Sequence, residues 1–137
     1  MKAKKANGVI FVPKLSASSQ DYLEAILELS SHNDRVRSID VAAYLNVSRA
    51  SVNRGLMILK SLGYIEQERY AEITITQLGR QRGQEVQERH LALKRFLTDV
   101  LGVDDAVAEE DACRMEHSLS PESLSKLQGF LKTIVPL

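Results

Sequence analysis

The spacing of apolar residues predicts six amphipathic helices and one pair of short alternating strands. Leu23, Ile26 and Leu27, flanked by Tyr22 and Leu29, form a helical stripe, with Asp21, Glu24 and Glu28 on another side. Ser18, followed three residues later by Asp21, resembles a capping box, so the spacing predicts a helix from Ser18-Ser19 to the turn His32-Asn33-Asp34. Ser38 is expected to cap a short helix carrying Ile39, Ala42, Ala43 and Leu45, closed by Asn46 in the left-handed conformation. Ser48 then caps a helix that buries Val52, Leu56 and Leu59 and ends at Leu62-Gly63. Small residues (Ala42, Ala43, Ala50) stand where the two would cross, the pattern of a helix-turn-helix.

Tyr64–Gln67 and Glu72–Thr76 alternate around the polar turn Glu68–Ala71 and predict a hairpin with Arg69 and Tyr70 at its tip. A helix-turn-helix followed by a hairpin is a winged helix. Thr76 opens a long helix to about Leu101 with apolar Leu78, Val86, Leu93, Phe96, Leu97 and Val100, and Gly102 ends it. Asp104-Asp105 start a fifth helix and Ser120-Pro121-Glu122 a sixth, which presents Leu124, Leu127, Phe130, Leu131 and Ile134. The expected fold is mainly α with a small β-hairpin wing: a winged helix-turn-helix over 18–76 and a helical lobe over 77–137. Residues 1–17, with four lysines, Gly8 and Pro13, read as a flexible basic arm.

Composition narrows the class. At 137 residues, 44% hydrophobic and 26% charged, the chain is long enough to bury a core. No apolar run approaches the ~20 residues of a membrane span. Val9–Val12 is too short for a signal-peptide core, so the expected compartment is the cytoplasm, with no membrane partner. A single cysteine excludes an internal disulfide. Net charge is zero, which excludes a globally basic nucleic-acid binder, but residues 47–63 hold three bases (Arg49, Arg54, Lys60) and no acid. Residues 1–76 carry ten bases against eight acids, and 77–137 eight against ten.

That basic stretch is the expected recognition helix. Its solvent side begins Ser48, Arg49, Ser51, Asn53 and Arg54. Arg forks onto guanine, Asn onto adenine, and Ser serves either a base edge or a phosphate. Arg35, Arg37 and Arg69 are expected on phosphates. Reading double-stranded operator DNA with a winged helix calls for two copies, so a homodimer through the C-terminal helices is expected.

A second chemistry lies in Cys113-Arg114-Met115-Glu116-His117. On a helix, residues three and four apart share a side, so the thiol, carboxylate and imidazole converge. Such a set can hold a divalent metal, or it is a core cysteine beside a solvated Glu-His pair.

Taken in order, Asp21-Tyr22-Leu23-Glu24, the winged helix, Arg89-His90 and Cys113–His117 resemble the diphtheria-toxin-repressor family of metal-dependent transcriptional repressors, from about Ser18 to Phe130. The resemblance implies metal ligation by Asp21 and Glu24, as in its manganese branch, and by His90, Glu116 and His117. Cys113 matches the iron branch. The chain stops after the dimerisation helices, without the SH3-like domain of the longer iron repressors, again as in the short manganese branch. Lys94 stands where the iron branch has a carboxylate and Glu109 where it has a histidine, which implies one metal per subunit. Three carboxylates and two imidazoles suit six-coordinate Mn²⁺ or Fe²⁺; the thiolate tilts the set toward Fe²⁺, Co²⁺ or Zn²⁺. The family implies repression of metal uptake.

Two other readings compete. A MarR-like winged-helix regulator would answer to a small molecule or to Cys113 oxidation. A small metalloenzyme or metal-handling protein would need an open coordination position and a spare base. No nucleophile elbow or Gly-rich phosphate loop is present, so the expectation is a sensor, not an enzyme.

Overall fold

The computed structural model describes residues 4–6, 9–11, 15–69 and 71–134. They fall into two compact units divided between Arg82 and Gly83.

In the first unit, Lys4–Ala6 (β1) and Val9–Phe11 (β2) pair antiparallel, with Lys4 opposite Phe11. These two strands lie within residues 1–17, which the sequence reads as a basic arm. The rest of that arm up to residue 14 lies outside the described residues. Ala17–His32 (α1) is capped by Ser16, whose Oγ accepts from the Ser19 N–H at 3.1 Å, and not by Ser18, which is inside the first turn. The start is set by Leu15, which is buried in the core, while its carbonyl accepts from Gln20 Nε2 at 2.9 Å.

Ser38–Leu45 (α2) starts one residue after its cap position, Arg37. The Arg37 N–H donates to Asp40 Oδ2 at 2.8 Å, so Asp40 closes the first turn rather than Ser38. Its buried face is Val41 and Ala42, while Ile39 is 55% exposed and Ala43 also faces out. The expected stripe was rotated, because Val41 and not Ile39 is on the side that carries Ala42 and half-buried Leu45 inward. Asn46 takes φ 54°, as expected, and the chain turns into Arg49–Ser61 (α3). Ser48 Oγ accepts from the Ser51 N–H at 3.1 Å. Val52, Leu56 and Leu59 are buried as the spacing predicts. Ala50, expected at the crossing of α2 with α3, is exposed, and α3 approaches α1 closely at Gly55, where a Cβ would overlap the Tyr22 ring.

The wing pairs Ile65–Glu66 (β3) with Thr74–Ile75 (β4), Ile65 opposite Ile75. A third segment joins it: the Ile73 N–H donates to the Val36 carbonyl at 2.7 Å. Tyr70, expected at the wing tip, lies outside the described residues. Thr76 Oγ1 accepts from the Gly79 N–H at 3.0 Å and donates to the Gly63 carbonyl at 2.7 Å. This pins the start of Gln77–Arg95 (α4) to the wing.

In the second unit α4 does not continue as a uniform helix to Leu101. Phe96–Val100 widens into a π turn, with the Leu101 N–H donating to the Phe96 carbonyl at 3.2 Å and Thr98 Oγ1 donating to the Lys94 carbonyl at 3.0 Å. A hydroxyl that competes for helix carbonyls loosens the ladder at that point. Gly102, at φ 71°, ends the helix. Asp105–Met115 (α5) follows, then a tight 3₁₀ turn over Glu116–Ser118, then Pro121–Ile134 (α6) capped by Ser120. Leu93, Leu97, Ala108 and Ala112 form the core of this unit, with Leu127 of α6 against it. Phe130 and Ile134 remain exposed on α6. No helix among the described residues is long and apolar enough to cross a membrane.

Candidate metal centre and nucleic-acid interface

The segment Cys113–His117 is not one continuous α-helix as expected. Cys113 lies in the last turn of α5, while Glu116 and His117 lie in the 3₁₀ turn. The tighter turn still gathers them: Cys113 Sγ, a Glu116 carboxylate oxygen and a His117 ring nitrogen lie within 4.8 Å of one another. Glu116 is fully buried. Its Oε2 is 2.7 Å from His90 Nδ1. Its Oε1 has no hydrogen-bond partner among the described residues and lies 3.7 Å from His117 Nε2. Leaving a buried acceptor unsatisfied costs about 1–3 kcal/mol, and more for a charged one. A cation beside Oε1 would offset that cost. A thiolate, a carboxylate and an imidazole suit a first-row divalent ion.

His90 is brought to this centre but is already engaged on both sides. Its Nε2 is 2.8 Å from Glu109 Oε1. Glu109 Oε2 in turn is 3.0 Å from Lys94 Nζ, which also approaches Asp105 at 3.5 Å. The Lys94 hydrogen bond holds the Glu109 carboxyl below the usual glutamate range against a modest burial penalty, and the His90 charge adds to it. The Glu109 hydrogen bond likewise raises the Lys94 ammonium above the usual lysine value. The sequence singled out Lys94 and Glu109 only by where they stand in the family pattern; that they pair depends on the approach of two different helices. Asp21 and Glu24, the expected carboxylates of the first unit, lie on neighbouring turns of α1, each half-buried.

On the first unit, α3 presents Arg49, Asn53 and Arg54 to solvent. Ser48 and Ser51 are tied to each other, Oγ to Oγ at 2.9 Å, and Arg54 Nη2 donates to Ser51 Oγ at 3.3 Å. Arg35 and Arg37 lie 3.7 and 3.9 Å from Glu72 of the wing, weak exposed pairs that a phosphate would displace. Lys60 is committed to the fold, donating to the Gln67 carbonyl at 2.7 Å. Gln67 Nε2 donates to the Ala71 carbonyl at 2.8 Å and closes the wing turn beside exposed Arg69. Met57, 71% exposed on α3, extends the same surface with an apolar contact. The helical spacing did not single it out.

Comparison with known proteins bears on both sites. The family described as iron dependent repressor matches in two parts: its N-terminal DNA binding domain over residues 14–73 and its metal binding and dimerisation domain over residues 76–135. An uncharacterized HTH-type transcriptional regulator of Methanocaldococcus jannaschii is 35% identical over 119 residues, covering 86% of this chain and 95% of that protein. The transcriptional regulator MntR of Salmonella typhimurium is 38% identical over 110 residues, covering 80% of this chain and 69% of that protein. Among solved structures, the manganese regulator SloR matches with a TM-score of 0.77 at 23% identity, over 86% of this chain. The chain spans 55% of that structure's length, and the likeness is one of fold.

Proposed function

We propose that this chain, which belongs to the iron dependent repressor family, is a metal-dependent transcriptional repressor that binds operator DNA as a homodimer. The observation that carries the proposal is the convergence of Cys113, Glu116 and His117, with a buried Glu116 oxygen left without a hydrogen-bond donor among the described residues. A divalent ion, Mn²⁺ or Fe²⁺, supplies the positive charge this centre lacks, with Co²⁺ and Zn²⁺ as substitutes in vitro. Cys113, Glu116, His117 and His90 would hold it, with Asp21 and Glu24 joining from α1.

In this reading α1 is fixed by its carboxylates, and the recognition helices of the two subunits gain a defined spacing. The ordering cost is met before DNA arrives, so DNA affinity rises. Arg49, Asn53 and Arg54 read bases from α3; Ser48 and Ser51 support that helix and serve nearby phosphates; Arg35, Arg37 and Arg69 hold phosphates. The cytoplasm, which keeps Cys113 reduced, is the compartment of action, and metal-uptake genes are the targets. No step of this reading is catalytic.

The test is DNA binding by Glu116→Ala and His117→Ala. Both should lose the metal-stimulated gain in affinity while the metal-free protein melts and binds DNA as before. An unchanged metal response in both variants would refute the site.

A further inference from the structure

Met57 of α3 is 71% exposed, more than any other large hydrophobic side chain among the described residues. Single exposed apolar residues are ordinary on a protein surface. The place of Met57 is not ordinary. Residues three, four and seven apart share one side of a helix, so Ala50, Asn53, Arg54 and Met57 line the solvent side of α3, opposite the buried Val52, Leu56 and Leu59. These are also the offsets at which other recognition helices present their base-reading residues to the major groove. Met57 further lines, with Asn53 and Arg69, a hollow between α3 and the wing. We infer that Met57 is a specificity-determining residue that packs on the C5-methyl group of an operator thymine. This rests on the reading of α3 as the base-reading helix given above.

The chemistry of the major groove selects the base. Every base edge there carries hydrogen-bonding groups, and thymine alone adds an alkyl group. A methionine side chain has no hydrogen to donate, and its thioether is a weak acceptor. Set against a guanine, adenine or cytosine edge, Met57 would strip water from polar atoms and give them no partner, which costs affinity. Set against a thymine methyl, it takes apolar surface of both groups out of water, and its flexible thioether adapts to the methyl's position. One side chain thus favours one base and penalises the other three. The position follows from helix geometry. Met57 lies three residues beyond Arg54 and four beyond Asn53, about 5 Å along the helix axis. Base pairs stack about 3.4 Å apart, so the thymine lies one or two base pairs from the one that Arg54 reads.

The experiment uses a duplex selected from a random-sequence pool by the full chain loaded with Mn²⁺ under anaerobic conditions. Each thymine of that duplex is replaced in turn by deoxyuridine, which removes the methyl group and keeps the hydrogen-bonding groups. Anisotropy titrations compare the parent chain with Met57→Ala and Met57→Leu. For the parent, loss of one methyl should weaken binding about fourfold per half-site, the worth of one buried methyl group. The sensitive thymine should lie one or two base pairs from the position where Arg54→Ala relaxes preference. Met57→Ala should bind the unmodified duplex more weakly and ignore deoxyuridine at that position, while Met57→Leu should keep most of the response. Thermal unfolding of Met57→Ala should match the parent, since the side chain is exposed in the free protein. A parent with no sensitive thymine, or a Met57→Ala that keeps the parent's full response, overturns the inference and leaves base reading by α3 standing. Equal weakening of Met57→Ala on the selected duplex and on mixed-sequence DNA also overturns it, because the contact would then be to the sugar-phosphate backbone. A pool that yields no preferred sequence would instead sink the reading of α3, and the inference with it.

Discussion

Arg54 stands on the exposed side of α3, held lightly by the Ser51 hydroxyl at 3.3 Å. A guanidinium so placed is free to fork onto a guanine edge, a contact worth about 1–3 kcal/mol of discrimination. Arg54→Ala should weaken operator binding by that amount and relax preference at one base position, while Mn²⁺ affinity of the free protein stays as it was. Anisotropy titrations against operator and single-base variants check this; equal loss on all sequences would make Arg54 a phosphate contact. At this scale the sequence was legible wherever one helix carried the whole signal. Val52, Leu56 and Leu59 are buried, and Ser48 caps α3, because spacing and side-chain chemistry decide both locally. Pairings between distant segments were not legible. Glu72 beside Arg35 and Arg37, and Glu109 beside Lys94 and His90, depend on tertiary approach, and charge alone does not name its partner.

At the scale of elements, the packing of α1 on α3 turns on one residue. Gly55 is buried, and a Cβ there would overlap the Tyr22 ring. In an open helix Gly→Ala gains about 1 kcal/mol. Here overpacking reverses the sign, at about 1–3 kcal/mol. Gly55→Ala should therefore lower the melting temperature by several degrees, and a rise would show that Tyr22 yields freely. The helices and wing were foreseen because 3.6- and 2-residue periods are strong over these lengths. Their edges were not. Leu15 moved the first cap to Ser16, Asp40 rather than Ser38 closed the first turn of α2, and Val41 rotated its buried face. The π turn at Phe96–Val100 and the 3₁₀ turn at Glu116–Ser118 also escaped the periodicity, since both keep nearly helical spacing. The second matters most, because it is where two proposed ligands sit.

At the scale of the molecule, two compact units divide within α4, between Arg82 and Gly83. One carries the winged helix and the other the Cys113–His117 centre. A metal switch makes a thermodynamic demand on this arrangement: whatever factor metal adds to DNA affinity, operator DNA must add to metal affinity. The most direct measurement is anaerobic fluorescence anisotropy on DNA from upstream of the protein's own gene, first in chelator and then across Mn²⁺, Fe²⁺, Co²⁺ and Zn²⁺. The account predicts tight binding only with metal, an order among the four ions that reports the pull of Cys113, and a matching rise in metal affinity when operator is present. Equal binding in chelator and in every metal would contradict it, leaving a winged helix whose switch is something other than a metal.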